Sequence, residues 1–286
     1  RQMCIRDRYT SYLPKYLNIF GDNITSITIP KSVSEIACDS NYLLVRYGEL
    51  EESAFNPFQC KNLKRIIVEE GNVNFKAIDG ILYKKNKDSE SGAETLSLFV
   101  CPQSIEKEDI VVPSNVTGIS AGAFKECETI KTVTLPDGVG GFSTQTFYGC
   151  GNLEKVTMNV TGIDVGAHAF GGCKKLTDIS NVHVRNVGRV GFGGCEKLEY
   201  VNITGATIGE KAFSGCSGLK KIPEKIERIE ESAFILCSSL KKINLQEGIE
   251  FIGANAFANT GVTSITIPAS VTSIGCLLYT SPSPRD

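Results

Sequence analysis

"AFSGCSGLKKIPEKIERIEESAFILCSSLKKI" (Ala212–Ile243) states one pattern twice. A-F-x-x-C-x-x-L-K-K-I is followed by ten residues and then by A-F-x-x-C-x-x-L-K-K-I again. Outward from this stretch the same key phenylalanine recurs at Phe124, Phe147, Phe170, Phe192, Phe213, Phe234 and Phe257, spaced by 21 to 23 residues. Three residues after each of the first six stands Cys127, Cys150, Cys173, Cys195, Cys216 or Cys237, and the seventh unit has Thr260 there. Ile130, Leu153, Leu176, Leu198, Leu219 and Leu240 follow three residues later, and Val133, Val156, Ile179, Val201, Ile222 and Ile243 three after those. A fixed period of this length is the signature of a stacked repeat architecture.

Each position has a physical role. "IKTVTLP" (Ile130–Pro136) alternates Val133, Thr134 and Leu135, which predicts a short strand with one buried face. Pro136 has no N–H for a ladder and ends the strand, as do Pro30, Pro223 and Pro268 in their units. Phe, Cys and Leu three apart suit a tight helical or 3-10 turn that aims all three side chains one way. One unit cannot bury its own Phe, Cys, Leu and Ile, but stacked units can. The predicted fold is a repeat solenoid with core ladders of phenylalanine and cysteine, a parallel sheet of short strands on one face and short helical turns on the other.

The N-terminal third is less regular. "ITSITIP" (Ile24–Pro30) and "VTSITIP" (Val262–Pro268) are the same strand unit near opposite ends of the chain. "SAFNPFQCKNLKRIIV" (Ser53–Val68) is a further unit with two extra residues between Phe55 and Cys60. Residues 69–112 read as an irregular insertion within a single solenoid over 9–275. Asp79-Gly80 marks a hairpin-like turn, and Lys84–Glu94 reads as its exposed tip.

At 286 residues, with net charge −2, the chain lacks the basic excess of a nucleic-acid footprint. No apolar run approaches the roughly 18–20 residues of a membrane-spanning helix. Of the eleven cysteines, Cys60 and the six from Cys127 to Cys237 share one repeat position, Cys38 and Cys101 fall outside it, and no C-x-x-C pair exists. In-register side chains lie beside one another rather than facing, so these cysteines read as buried thiols.

Chemistry-bearing residues are few. His168 and His183, the only histidines, fall in loop positions without a neighbouring nucleophile or a second ligand at helical spacing. "GVGGFS" (Gly138–Ser143) is not a G-x-G-x-x-G phosphate loop. Asn23, Asn115, Asn159 and Asn202 head N-x-T sequons. These residues point to no catalytic set, metal or cofactor, so the expected function is binding rather than catalysis. If Val133, Ile179 and Ile243 point inward, two outward columns flank them, and Lys155, Tyr200, Asn202, Lys221, Lys242 and Asn244 form the candidate binding face. Tyr200 is its centre, an aromatic anchor among cations.

The pattern A-F-x-x-C-x-x-L-x-x-I-x-[LI]-P over Ile24–Gly275 resembles the BspA-like, or Treponema-type, leucine-rich repeats, and "GNVNFKAIDGILY" (Gly71–Tyr83) is similar to a variant repeat of that family. The resemblance implies a right-handed leucine-rich-repeat superhelix. It also implies a cell-surface or secreted setting and adhesion or binding to a host or extracellular-matrix protein. A recognition domain of a larger enzyme or intracellular scaffold is the alternative. "RQMCIRDR" (Arg1–Arg8) and "CLLYTSPSPRD" (Cys276–Asp286) resemble translated sequencing-adapter sequence, of the kind found in metagenome-derived chains. Both are set aside as non-native scars on a fragment of a larger protein.

Overall fold

The computed structural model describes residues 23–36, 60–87, 92–179, 181–205 and 207–276, together with the backbone of the strands Gln2–Cys4, Tyr12–Leu13, Tyr42–Arg46 and Glu49–Ser53. Of the two end segments set aside on the sequence, the described residues include only the backbone of Gln2–Cys4, which pairs in parallel with Ser26–Ile29, and Cys276. Cys38 and Phe55 lie outside the described residues.

The repeats stack as a parallel β-solenoid, one coil per key phenylalanine. The predicted strand is present at Asp109–Val111, Thr132–Thr134 and Lys155–Thr157, in parallel register with Thr132 opposite Lys155 and Val133 opposite Val156. Val133 and Val156 are buried and their flanking residues are not, as the alternation requires.

A second and longer parallel sheet occupies another face, where the sequence reads as loop. Its seven strands are Gly141–Phe142, Val160–Val165, Val182–Val187, Thr207–Ile208, Arg228–Ile229, Phe251–Ile252 and Ser273–Ile274. Most are two residues long, too short to display a period of two. Their signal is a column: Phe142, Val165, Val187, Ile208, Ile229 and Ile252 each stand five residues before a key phenylalanine. Consecutive members pair, as in Ile208 with Ile229 and Ile229 with Ile252.

The turn segments correct the expectation of helical or 3-10 turns: no helix occurs among the described residues. The residues two before and two after each key phenylalanine take left-handed backbone, with φ between 53° and 77°. In the Phe213 coil these are Lys211 and Gly215. Alternate N–H groups then point in two directions. Lys211, Phe213 and Gly215 donate to Glu231, Ala233 and Ile235 of the next coil at 2.8–2.9 Å. Ala212, Ser214 and Cys216 donate within their own coil, three residues back, at 3.0–3.1 Å. A helix would satisfy every N–H within its own coil and leave none to bind the stack. The left-handed residues release half of them for coil-to-coil bonding.

The insertion is antiparallel. Phe75–Ile78 and Ile81–Lys87 form a hairpin whose two turn residues, Asp79 and Gly80, both have positive φ (55° and 82°), as a type I′ turn demands. Lys84–Lys87 belongs to the second strand, so the exposed connection is shorter than the sequence indicates; residues 88–91 lie outside the described set. Glu94–Val100 pairs antiparallel with that strand and in parallel with Val116–Ile119, handing the inserted sheet on to the solenoid. Alternate residues of the inserted strand face two core clusters: Ile81 and Tyr83 face the main core, and Leu82 the N-terminal one.

The main core is built of ladders. Phe124, Phe147, Phe170, Phe192, Phe213, Phe234 and Phe257 are all fully buried and stack in sequence, with centroids 4.9–5.5 Å apart and planes within 19° of parallel. Each such pair adds about 0.5–1.5 kcal/mol beyond its area burial.

Candidate binding face

The face outside the Val133 strand column is set by strand alternation, and its six candidates lie in different surroundings. Lys155 is not a free cation: its Nζ lies 2.7 Å from Asp178 Oδ2, the residue opposite it in the next coil. Tyr200 is exposed at 43%. The Asn202 side-chain amide lies 3.0 Å from His183 Nδ1 and is half-buried. Lys221, Lys242 and Asn244 are exposed.

Strand pairing along this column ends at the Lys155–Asp178 bridge. Among the described residues, no hydrogen bond joins Lys221–Pro223 to Lys242–Asn244, or Lys242–Asn244 to Ser264–Thr266. Pro223 supplies a local cause, since it places a residue without an N–H in the strand position. The Phe ladder continues behind these coils at 5.3–5.5 Å. The stack therefore keeps its core ladder, and its main-chain bonds at Ser239–Ser217 and Glu250–Glu227, where the strand ladder stops.

A groove of about 970 Å³ lies on this stretch of the face. Ile222 and Ile243 contribute apolar surface, and Lys220, Lys221, Lys241, Lys242, Glu224 and Asn244 contribute polar groups. Lys221, Lys242 and Asn244 are brought together here; Lys155, Tyr200 and Asn202 are not among the lining residues. Lys220 pairs with Glu199 at 2.5 Å. Lys221, Lys241 and Lys242 have no ion-pair partner among the described residues. The sequence reading left out Lys241, although the doubled Lys-Lys before Ile222 and before Ile243 was its signal.

The remaining chemistry-bearing groups lie apart. His168 has left-handed backbone (φ 55°), and its ring meets that of Tyr148 edge-on at 6.0 Å. Among the described residues no three His, Cys, Asp or Glu side chains are grouped to share a metal ion. The laddered cysteines are fully buried free thiols, and burial pushes Cys127, Cys150, Cys173, Cys195, Cys216 and Cys237 above the ordinary thiol range. A thiol held protonated is a poor nucleophile and a poor metal ligand.

A family model described as the BspA type leucine-rich repeat region matches residues 97–220 and 181–282, six copies in all. The chain belongs to this family. The BspA-type repeats also align with solved structures. A leucine-rich repeat protein from Eubacterium ventriosum is 21% identical with a TM-score of 0.59, over 87% of this chain and 62% of that one. A leucine rich cell surface protein from Faecalibacterium prausnitzii is 24% identical with a TM-score of 0.50, over 78% and 48%. The Treponema pallidum leucine-rich repeat protein is 21% identical with a TM-score of 0.50, over 62% and 86%. At these identities the likeness is one of fold. The chain spans less than two thirds of the length of the Eubacterium and Faecalibacterium proteins. No curated protein matches it. Among the described residues no helix is long and apolar enough to cross a membrane.

Proposed function

We propose that this chain is a non-catalytic protein-binding and adhesion module, one part of a larger cell-surface or secreted protein, and that it binds through the strand face. The observation that carries the reading is the open groove beside Ile222 and Ile243, where Lys221, Lys241 and Lys242 stand without ion-pair partners. Exposed lysines unpaired among the described residues around a concave surface can meet acidic groups of a partner. The surface setting is taken from the description of the Faecalibacterium neighbour. Host and extracellular-matrix proteins are the partners to test first.

The test is surface capture of such proteins by immobilised wild-type chain and by a Lys221→Glu/Lys242→Glu variant. Both side chains are exposed, so the variant keeps the wild-type melting curve. The reading requires wild-type capture and a loss of roughly tenfold or more in the variant. Equal capture by a folded variant would place the binding face elsewhere, with Tyr200 and the inserted sheet next to be tested.

A further inference from the structure

The groove has charge and hydrogen-bonding groups but no apolar anchor. Its lining residues include no aromatic ring, and Tyr200 is not among them. Ile222 is buried and Ile243 half-buried, so neither offers the large exposed side chain around which protein interfaces concentrate their energy. Lys221 and Lys242 hold the same place in successive coils, whose key phenylalanines stack 5.3 Å apart. Lys241 adjoins Lys242, and the lining continues into a third coil through the exposed Thr263, Ser264 and Thr266. Glu224 is the one carboxylate among the lining residues.

From this we propose that the groove takes a linear sulfated polysaccharide, of the kind that matrix proteins carry as side chains; the proposal rests on the binding role above and names its ligand. Three features choose this occupant. Lys221, Lys241 and Lys242 have no ion-pair partner among the described residues, and a lysine ammonium is a compact point charge that suits a tetrahedral oxyanion. Cations that recur from coil to coil match a ligand that repeats its own charge along a chain, and the hydroxyls of Thr263, Ser264 and Thr266 extend the same line with groups that meet sugar hydroxyls. The missing ring and apolar anchor disfavour the rival polyanions: single-stranded nucleic acid uses aromatic platforms for its bases, and an acidic protein surface needs a central apolar or aromatic contact.

The probe is a fluorescently labelled heparin oligosaccharide, titrated by anisotropy against the whole chain. A hyaluronan oligosaccharide of equal length, which has carboxylates but no sulfates, and a polyglutamate peptide are the comparison ligands. We expect heparin to bind at least about tenfold more tightly than either. Its affinity should fall with salt at a log–log slope of about −2, as three lysines that each displace a counterion require. Lys241→Glu/Lys242→Glu should lose about tenfold or more and Glu224→Gln should gain, while Lys84→Glu on the inserted sheet should lose nothing. All four side chains are exposed, so each variant keeps the wild-type melting curve. Equal binding of hyaluronan or polyglutamate, a salt-independent affinity, or equal heparin binding by the Lys241→Glu/Lys242→Glu and Lys84→Glu variants overturns the proposal. Capture of a matrix proteoglycan should end when a lyase removes its sulfated chains. If capture survives the lyase and still depends on Lys221 and Lys242, the binding face stands and this account of its ligand is wrong.

Discussion

The Sγ–H of Cys216 donates to the carbonyl oxygen of Phe192, one coil back, at 3.0 Å. The contact recurs from Cys150 to Phe124 (2.8 Å), Cys173 to Phe147 (3.1 Å), Cys195 to Phe170 (3.2 Å) and Cys237 to Phe213 (3.1 Å). Each of these carbonyls also accepts an N–H from its own coil; Phe192 takes that of Cys195 at 3.1 Å. The cysteine ladder thus fills a core slot and ties neighbouring turns with a weak donor.

These thiols should be unreactive in the folded chain. Alkylation followed by mass measurement should modify the exposed Cys276 quickly and the ladder from Cys127 to Cys237 only after denaturation. Rapid native labelling within the ladder, or disulfide-linked peptides from it, would show that the thiols are not held as described.

Stability should fall in alkali. The six ladder thiols titrate higher in the folded chain than in the unfolded one, where a thiol ionises near pH 8.5. Burial likewise raises Tyr83. The folded state therefore retains protons that the unfolded state releases. Their contribution is full below about pH 8.5 and declines as pH rises toward the folded values. Each thiol gives a limiting slope of about 1.4 kcal/mol per pH unit. Urea midpoints should hold level from neutrality to the unfolded thiol value and then drop steeply; a flat profile through pH 10.5, roughly two units above that value, would contradict the buried ladder.

Phe213 stacks on Phe192 at 5.3 Å and on Phe234 at 5.3 Å. Phe213→Ala should cost about 3–5 kcal/mol, against less than about 0.5 kcal/mol for the exposed Lys221→Ala. Urea melts compare them directly, and similar midpoints would mean the inside and outside of the coil are misassigned.

Gly215 and Leu236 occupy the same place in successive coils, both with left-handed backbone (φ 72° and 64°). A Cβ on Gly215 would meet only ordinary contacts, so Gly215→Ala should cost about 1–2 kcal/mol through its backbone alone. Leu236 bears that strain already and is 52% exposed. Leu236→Gly should therefore be neutral or stabilising by up to about 1 kcal/mol, the strain relieved being offset by added chain entropy. Thermal melts giving both changes the same sign and size would remove backbone strain as the cause.

The ladders were legible in the sequence because every coil has one interior slot for each of Phe124, Cys127, Ile130 and Val133, and the next coil repeats it. The hairpin turn at Asp79-Gly80 was legible because positive φ at two successive positions narrows the residue choice. The turn conformation was not. Two before the key phenylalanine the left-handed residues include Gln145, His168, Val190, Lys211, Ser232 and Asn255, with no shared side-chain chemistry; two after it, glycine recurs at Gly149, Gly172, Gly194 and Gly215 but not at Glu126, Leu236 or Asn259. Their φ is imposed by the coil-to-coil bonds on either side of the key phenylalanine.

Sequence by itself determined the repeat, its period, the two core ladders and the inward face of the Val133 strand, since burial of a fixed apolar set is a local demand that each unit states again. Tertiary structure alone decided that Lys155 is spent on Asp178, that Tyr200 does not line the groove, and that Lys221, Lys242 and Asn244 do. Each outcome belongs to pairs of residues some 20 positions apart, and the period of either coil read alone does not contain it.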